Sequence, residues 1–293
     1  MSAKYEGRLA IVTGGASGIG LGIVESLVSK GCKVAILDRQ AKQGSEIASR
    51  LGDRAVFVET DVTSWTSLYQ AFKTARETLG PRIDYVFANA GISQMRQLNH
   101  TDPTHFATNA TKVEDLETAP PDLSVINVNL TGVLYTVYLA LAYFRKQEPD
   151  AAGWRGKIIA TGSTASVYPF PNDTLYGTSK HGVLGMTRSL APKVIEEGIT
   201  VNALAPPIIR TALGPADFFD AMEKEGRVTP MSTLTKCVDH LLDPSCKLTG
   251  QLAELSIETF HFRKHADYLD ETLKKNMNEF HPVDQTAAAL ALE

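Results

Sequence analysis

Short runs rich in β-branched residues alternate with longer stretches of helical period along most of the chain, and this alternation restricts the fold more than any other feature. LAIVT (Leu9 to Thr13), KVAILD (Lys33 to Asp38), AVFVET (Ala55 to Thr60), DYVFAN (Asp84 to Asn89), KIIATG (Lys157 to Gly162) and TVNALA (Thr200 to Ala205) read as strands, with a seventh between Gln251 and Ile257. Helical patterning falls between them, at Ile19 to Lys30, Ala41 to Arg50, Trp65 to Leu79, Leu123 to Lys146, Leu175 to Glu197 and Leu234 to Leu242. Strands separated by helices must return by crossover and pair in parallel. The pattern therefore predicts an α/β fold, a doubly wound parallel sheet of about seven strands with helices on both faces.

Three segments interrupt the rhythm. Residues 92–120 are polar and turn-rich, longer than a compact αβ connection, and read either as a functional cover or as an insertion. Residues 206–230 combine Pro206, Pro207 and Gly214 with Phe218, Phe219 and Met222, the composition of a substrate lid with an apolar underside, or of a surface loop with one amphipathic turn. From His261 onward the chain is charged and then Ala-rich, so residues 1–260 read as one domain and 261–293 as a tail.

Composition narrows the function. Of 293 residues 43% are hydrophobic, enough for a sizeable core, and 29 Lys plus Arg against 33 Asp plus Glu give a net charge of -4 with no block of like charge. That balance disfavours nucleic acid as a partner and points to a small molecule. The start, MSAKYEGRLAIVTGG, has neither the apolar core nor the cleavage site of a secretory signal, so a cytoplasmic location is expected. Cys32, Cys237 and Cys246 are odd in number and widely spaced, which suggests reduced packing residues and no metal site. Val128 to Phe144 is short for a membrane span and carries Asn129 and Thr131, so a buried helix is expected and no membrane partner. The four N-x-S/T triplets at Asn99, Asn109, Asn129 and Asn172 are then chance matches.

The first strand runs directly into TGGASGIG, Thr13 to Gly20, and on into a helix. Glycines at 14, 18 and 20 let the backbone turn sharply and let a pyrophosphate approach the N–H groups and positive end of that helix. Ser17 and Ile19 lie in the same loop. Asp38, ending the second strand 18 residues beyond Gly20, stands where a carboxylate would accept hydrogen bonds from ribose hydroxyls and repel a 2′-phosphate. Arg39 follows and could pair with such a phosphate, but Gly15, Ala16 and Ser17 add no second cation, so NAD is favoured over NADP.

Further on, TLYGTSKHG places Tyr176 and Lys180 four residues apart, one turn on one helix face, where both could act on one target. Alone the pair would more simply be a packed ring and a solvated amine. Taken with its surroundings, the sequence resembles the short-chain dehydrogenases/reductases in their single-domain form. TGGASGIG, Asp61-Val62, Asn89-Ala90-Gly91, VNLTG from Val128, Ser163 and YGTSK from Tyr176 stand in family order between about Gly7 and Ile257. Within the family, ASGIG with SKHGVLGMTRSLA looks most like the NAD-linked 15-hydroxyprostaglandin dehydrogenase-like branch.

The resemblance implies a Rossmann-type sheet and assigns roles. Tyr176 becomes the general acid/base, Ser163 a hydrogen bond to the substrate oxygen, and Lys180 a cation that binds the nicotinamide ribose. Asn129 becomes the helix residue whose backbone holds a relay water, with Asn127 a rival excluded by the V-N-L-T-G register. Asn89 would brace the fourth strand beside the adenosine, Ala90 and Gly91 would also touch the cofactor, and Asp61 and Val62 would line the adenine. A free tyrosine titrates near ~10, so roughly one in a thousand is phenolate at pH 7. An adjacent ammonium, helped by the positive charge of an oxidised nicotinamide, is expected to lower that value. The family's helices near Leu123 and Leu175 pair across a two-fold axis, so a homodimer or homotetramer is expected.

Two departures stand out. Where the family has Pro-Gly after the sixth strand this chain has Pro206-Pro207, which alters the backbone leading to the nicotinamide-binding positions Ile209 and Thr211. Asp173, three before Tyr176, either selects a polar or cationic substrate or caps the helix. The expectation is an NAD-dependent oxidoreductase acting on a secondary alcohol or ketone of moderate size. Tyr168, Phe170, Phe218, Phe219 and Met222 would lie near its largely apolar substrate. The alternative is a dinucleotide-binding protein of the same fold without alcohol turnover, serving as a sensor or a cyclase/isomerase scaffold.

Overall fold

The computed structural model describes residues 4–93, 121–171, 173–211, 214 and 216–280. Most of the segment read as a cover or an insertion, 94–120, lies outside them, as does 281–293 of the tail. Eight strands form one sheet in the order β3-β2-β1-β4-β5-β6-β7-β8. They are β1 (Leu9–Thr13), β2 (Lys33–Asp38), β3 (Ala55–Glu59), β4 (Tyr85–Ala88), β5 (Gly156–Thr161), β6 (Ile199–Ala205), β7 (Leu252–Leu255) and β8 (Phe260–Arg263). Neighbours pair in parallel from β3 through β7. β8 alone runs antiparallel, against β7. The order reverses between β1 and β4, the switch point at which open parallel sheets leave a crevice at their carboxyl ends.

Helices cover both faces because the inner strands are apolar on both, β1, β4 and β5 being buried at every residue. On one face lie α3 (Trp65–Leu79), α4 (Ser124–Phe144) and α5 (Thr174–Val194), whose Leu68, Phe72, Val133, Phe144 and Val183 join Ile11, Val86 and Ile158. On the other, α1 (Gly18–Ser29) and α7 (Met231–Leu241) bring Ile23, Leu27, Leu234 and Val238 to Val12, Phe87 and Ile159, beside α2 (Ala41–Leu51). Between β6 and α7 sits α6 (Ala216–Lys224), and α8 (Glu271–Phe280) follows β8.

Helix α4 is long and apolar enough to cross a membrane, with a mean hydropathy of 1.6. About half of it is buried in this fold, where Phe144 packs so closely that a methyl group on Gly156 would lie 2.4 Å from its ring. Its outer face leaves Leu134 exposed and Tyr138 66% exposed. Trp65 of α3 meets Tyr135 and Tyr138 edge-on, with centroids 5.6 and 5.8 Å apart. The expectation of a buried helix thus holds for one side only.

The strand count exceeds the expected seven. The run Gln251 to Ile257 supplies only four residues of strand, and Ser256 N–H then donates to Thr259 O at 2.7 Å, closing a turn that sends β8 back along β7. That turn, Ser256-Ile257-Glu258-Thr259, contains none of the Gly, Asn or Pro residues that signal a hairpin. The boundary at residue 260 consequently falls on the first residue of a strand.

Candidate active site

The residues singled out from the sequence converge on the carboxyl edge of the sheet. Leaving β1, the chain turns through Gly14 with φ +64° and Gly18 with φ +53°, both in the left-handed region that favours glycine. Close approach demands the third glycine: a methyl group on Gly20 would stand 2.0 Å from Gly14 O, and one on Gly14 would stand 2.8 Å from Ala90 Cα. Ser17 occupies the N-cap of α1 without a side-chain cap bond, and no acidic residue stands in the first turn. A bare helix N-terminus facing a glycine-lined loop fits a pyrophosphate. At the end of β2, Asp38 accepts from Ala16 N–H at 3.0 Å and from Gln40 N–H at 3.1 Å, which fixes its carboxylate against the loop; Arg39 beside it is exposed.

Asn89 ties this loop to the rest of the edge. Its amide donates to Thr13 O at 3.0 Å and Gly14 O at 3.3 Å, and its Oδ1 accepts from Thr161 Oγ1 at 2.9 Å. Thr13 Oγ1 answers by accepting from the N–H groups of Asn89 and Ala90. The ends of β1, β4 and β5 are thereby locked together, with Thr13 and Thr161 as essential members that the motif reading did not select. Asp61 turns its carboxylate onto Thr63, while Val62 is buried against Gly132 of α4.

Ser163 follows β5 and caps the short turn Thr164–Ser166, exchanging hydrogen bonds with Ala165 N–H and Ser166 Oγ at 3.2 Å each. Its hydroxyl stands near the Tyr176 phenol, on which it acts to favour the ionised form. One turn along α5, the Lys180 amine lies 5.4 Å from the Tyr176 ring centroid and donates to Thr161 O at 2.7 Å. Within α4, residues Asn127–Thr131 form a wide π turn in which Gly132 N–H reaches back to Asn127 O. The turn presents Asn129, fully buried, whose side chain grips both backbone groups of Ile92 at 2.8 and 2.9 Å and donates to Ser179 Oγ. A methyl group on Gly91 would lie 3.4 Å from Asn129 Oδ1 and 3.6 Å from Lys180 Nζ, so these three residues border one point. The structure therefore brings together Ser163, Tyr176, Lys180 and Asn129 from three separate parts of the chain.

With this geometry in view, the comparisons are specific. The short chain dehydrogenase profile matches residues 8–218. The chain belongs to the short-chain dehydrogenases. It is 30% identical to the short-chain dehydrogenase/reductase prx7 of Penicillium rubens over 293 residues, covering 93% of this chain and 99% of that one. It is 36% identical to the NADP-dependent dehydrogenase clz5 of Cochliobolus lunatus over 216 residues, 71% of this chain and 73% of that protein. In structure it resembles 3-ketoacyl-(acyl-carrier-protein) reductase from Brucella melitensis complexed with NADH, with a TM-score of 0.70, 25% identity, and coverage of 87% and 98% of the two chains. Membership supports oxidoreduction with a nicotinamide dinucleotide as cofactor. It does not single out the prostaglandin branch.

The chain's own groups act on the pair as follows: burial raises Tyr176, partly opposed by Ser163 and reinforced by Asp173. Burial likewise pulls the Lys180 ammonium down to about 8. The physical reason is shared: the cleft lies among packed side chains, Lys180 is 3% exposed, and charging either group there forfeits hydration.

The segment after β6 folds over the glycine loop. A methyl group on Gly18 would meet Thr211 Cβ at 3.1 Å, so Thr211 stands above the loop. Pro206 O accepts from Thr164 N–H, Ile208 O accepts from Thr229 N–H at 2.7 Å, and Ile209 is buried. The two prolines therefore leave this connection anchored at both ends. Of the residues expected near a substrate, Phe170 packs on Tyr176 with centroids 5.6 Å apart. Phe218 and Phe219 contact each other on α6, and Arg210 holds that helix through Asp220 and Glu223. Tyr168 is exposed and hydrogen-bonded by Arg263 of β8. Asp173 is the helix cap, accepting from Tyr176 N–H at 2.9 Å.

The buried amine gives a pH signature. Lys180 drops from an ordinary 10.5 to about 8 in the fold, a penalty of ~3 kcal/mol while both states are protonated. Between pH 8 and 10.5 the unfolded chain retains a proton that the folded chain has released, so this penalty fades as pH rises. Lys180→Met removes the group, and its stability relative to wild type should fall progressively across that window. Urea unfolding of both proteins at pH 7.5 and 10 measures this; a pH-independent difference contradicts it.

Proposed function

We propose that the protein is an NAD-dependent oxidoreductase that interconverts a secondary alcohol and a ketone on a mid-sized, largely apolar substrate. The observation that carries this reading is the union of Ser163, Tyr176 and Lys180 on the carboxyl edge of the sheet, beside a glycine cradle suited to a pyrophosphate. When bound there, the nicotinamide supplies or accepts a hydride. The chain's own residues hold the cofactor and move the proton. Gly14, Ser17, Gly18, Ile19 and Gly20 would receive the phosphates, Asp38 the ribose hydroxyls, and Ile209 and Thr211 the nicotinamide end. Ser163 holds the substrate oxygen against the phenol, and Tyr176 donates its proton in reduction or accepts one in oxidation. Lys180, which donates to Thr161 O, stays near the phenol and would hold the nicotinamide ribose.

The apolar body of the substrate is supported by Phe170 against Tyr176 and by the aromatic pair on α6. Asp38 supports NAD because its fixed carboxylate would face a 2′-phosphate. The exposed aromatic and leucine side chains of α3 and α4 support self-association as a homodimer or homotetramer, in which a second copy covers Leu134 and Tyr138. A cytoplasmic setting is proposed with it; all three cysteines are free thiols.

Three measurements test these points. Tyr176→Phe should lower kcat/KM on a panel of cyclic, fatty and steroidal alcohols by ~10² to 10⁴-fold with NADH affinity kept, and retained turnover would refute the mechanism. Asp38→Asn should shift the NADPH to NADH preference by roughly tenfold toward NADPH, as expected for removing one close charge repulsion. An unchanged ratio would remove Asp38 as the determinant. Sedimentation equilibrium should give a multiple of the 31.8 kDa chain mass, reduced by Tyr138→Glu; a monomeric wild type would end that claim.

A further inference from the structure

β8 brings a charged side chain to the loop that joins two of the proposed catalytic residues. The chain leaves Ser163, makes the short turn Thr164–Ser166, and returns to start α5 at Thr174, two residues before Tyr176. Within this loop Ala165 and Ser166 are buried, Val167 packs on the core, and the N–H groups of Ser166, Val167 and Tyr168 donate back to Ser163 O and Thr164 O at 2.8 to 3.1 Å. Two residues further, the Phe170 ring lies 5.6 Å from that of Tyr176, and a methyl group on Gly177 would meet Phe170 Cβ at 3.6 Å. The position of this loop decides what stands beside the phenol.

Tyr168 is held from outside the loop. It is 44% exposed, too little covered for packing alone to fix it, and its hydroxyl accepts from Arg263, the last residue of β8. The same guanidinium lies 5.7 Å from the centre of the Tyr168 ring and donates through Nε to Glu254 of β7, whose side chain is largely covered. The main chain there is tied as well: Arg188, on α5 two turns beyond Lys180, donates to Arg263 O at 3.1 Å and to Lys264 O at 3.0 Å. Arg263 is thus fixed to the sheet edge through Glu254 and to the helix of Tyr176 through Arg188, with one arm of its fork turned to Tyr168. An exposed ion pair alone contributes little. A planar guanidinium shared between a largely covered carboxylate and a phenol has its geometry set from both sides. The short chain dehydrogenase profile ends at residue 218, so this contact comes from a part of the chain beyond the matched region.

We propose that Arg263 is a positioning residue for substrate binding: through the Tyr168 hydroxyl it fixes the loop that presents Phe170 beside Tyr176, and so sets the fit of the substrate's apolar body while leaving proton transfer to Ser163 and Tyr176. The inference rests on the reading of this cleft as the substrate site. Loss of the clamp frees the exposed side of the loop, which weakens the hold on substrate more than it affects the chemical step or the cofactor.

Arg263→Met keeps the aliphatic stem without the fork, and Tyr168→Phe keeps the ring without the acceptor. In hydrogen exchange of the full chain followed by mass spectrometry, both should speed exchange of the peptide holding the Ser166, Val167 and Tyr168 amides while leaving the peptide from β1 to α1 unchanged. On the panel of cyclic, fatty and steroidal alcohols, both should raise KM by roughly two- to tenfold, the span of one net hydrogen bond, with kcat and NADH affinity held near wild type. Their double variant should do no more than either alone, since both remove the same contact. Unchanged exchange, or KM effects that multiply in the double variant, would overturn the proposal; so would faster exchange with KM unaltered, which leaves Arg263 a structural tie. If Arg263→Met does not fold, Tyr168→Phe by itself carries the exchange and KM readings. Turnover retained by Tyr176→Phe would defeat the functional reading instead, while the exchange data still decide whether Arg263 holds the loop.

Discussion

Everything at the functional edge depends on how closely the first helix approaches the end of the first strand. Gly20 lies against Gly14 O at a separation that no side chain could enter, and Asn89 reaches across from β4 to hold both Thr13 and Gly14 by their carbonyls. If that contact opened, the helix N-terminus would no longer face the cleft, and the ends of β4 and β5 would lose the link through Thr161. The proposed catalytic group is attached to this same clasp: Lys180 hydrogen-bonds the carbonyl of Thr161, whose hydroxyl is bound to Asn89. The glycine loop and the Lys180 end of the proposed catalytic group are therefore parts of one hydrogen-bonded unit.

The cleft that organises these groups also makes them costly to charge. Tyr176 and Lys180 are neighbours, yet burial moves each toward its neutral form. Among the chain's own groups desolvation is the larger influence on both partners, while the lowering expected of Tyr176 draws also on the positive charge of an oxidised nicotinamide. A phenol kept protonated is suited to donating, and a dinucleotide whose oxidised ring carries positive charge would shift the balance the other way.

Much of this was legible in the sequence. Strand positions were read nearly residue for residue because the inner strands are buried on both faces and must be continuous apolar runs. The glycine loop, Asp38, Asn89, Ser163, Tyr176 and Lys180, singled out from the sequence, lie along one edge of the sheet, since glycines at sharp turns and the YGTSK spacing leave marks that survive without coordinates. Less was legible where backbone groups carry the contacts. Thr161 acts through its carbonyl as well as its hydroxyl, and Asn129 works by gripping the backbone of Ile92, which no pattern of side chains announces. The eighth strand was missed because its turn lacks turn-forming residues and its partner, β7, is itself only four residues long.

By itself the sequence determined an α/β chain with a parallel sheet, a tight glycine loop at the end of its first strand and a tyrosine-lysine pair on one helix face, because these follow from local periodicity and fixed spacing. Only the tertiary structure decided that Asp173 faces into the fold as a cap, that Asn89 joins three strand ends, that β8 closes the sheet, and that burial governs the ionisation of Tyr176 and Lys180. Each of these depends on which distant groups a residue meets and how much water it loses, and neither quantity is encoded in the neighbours along the chain.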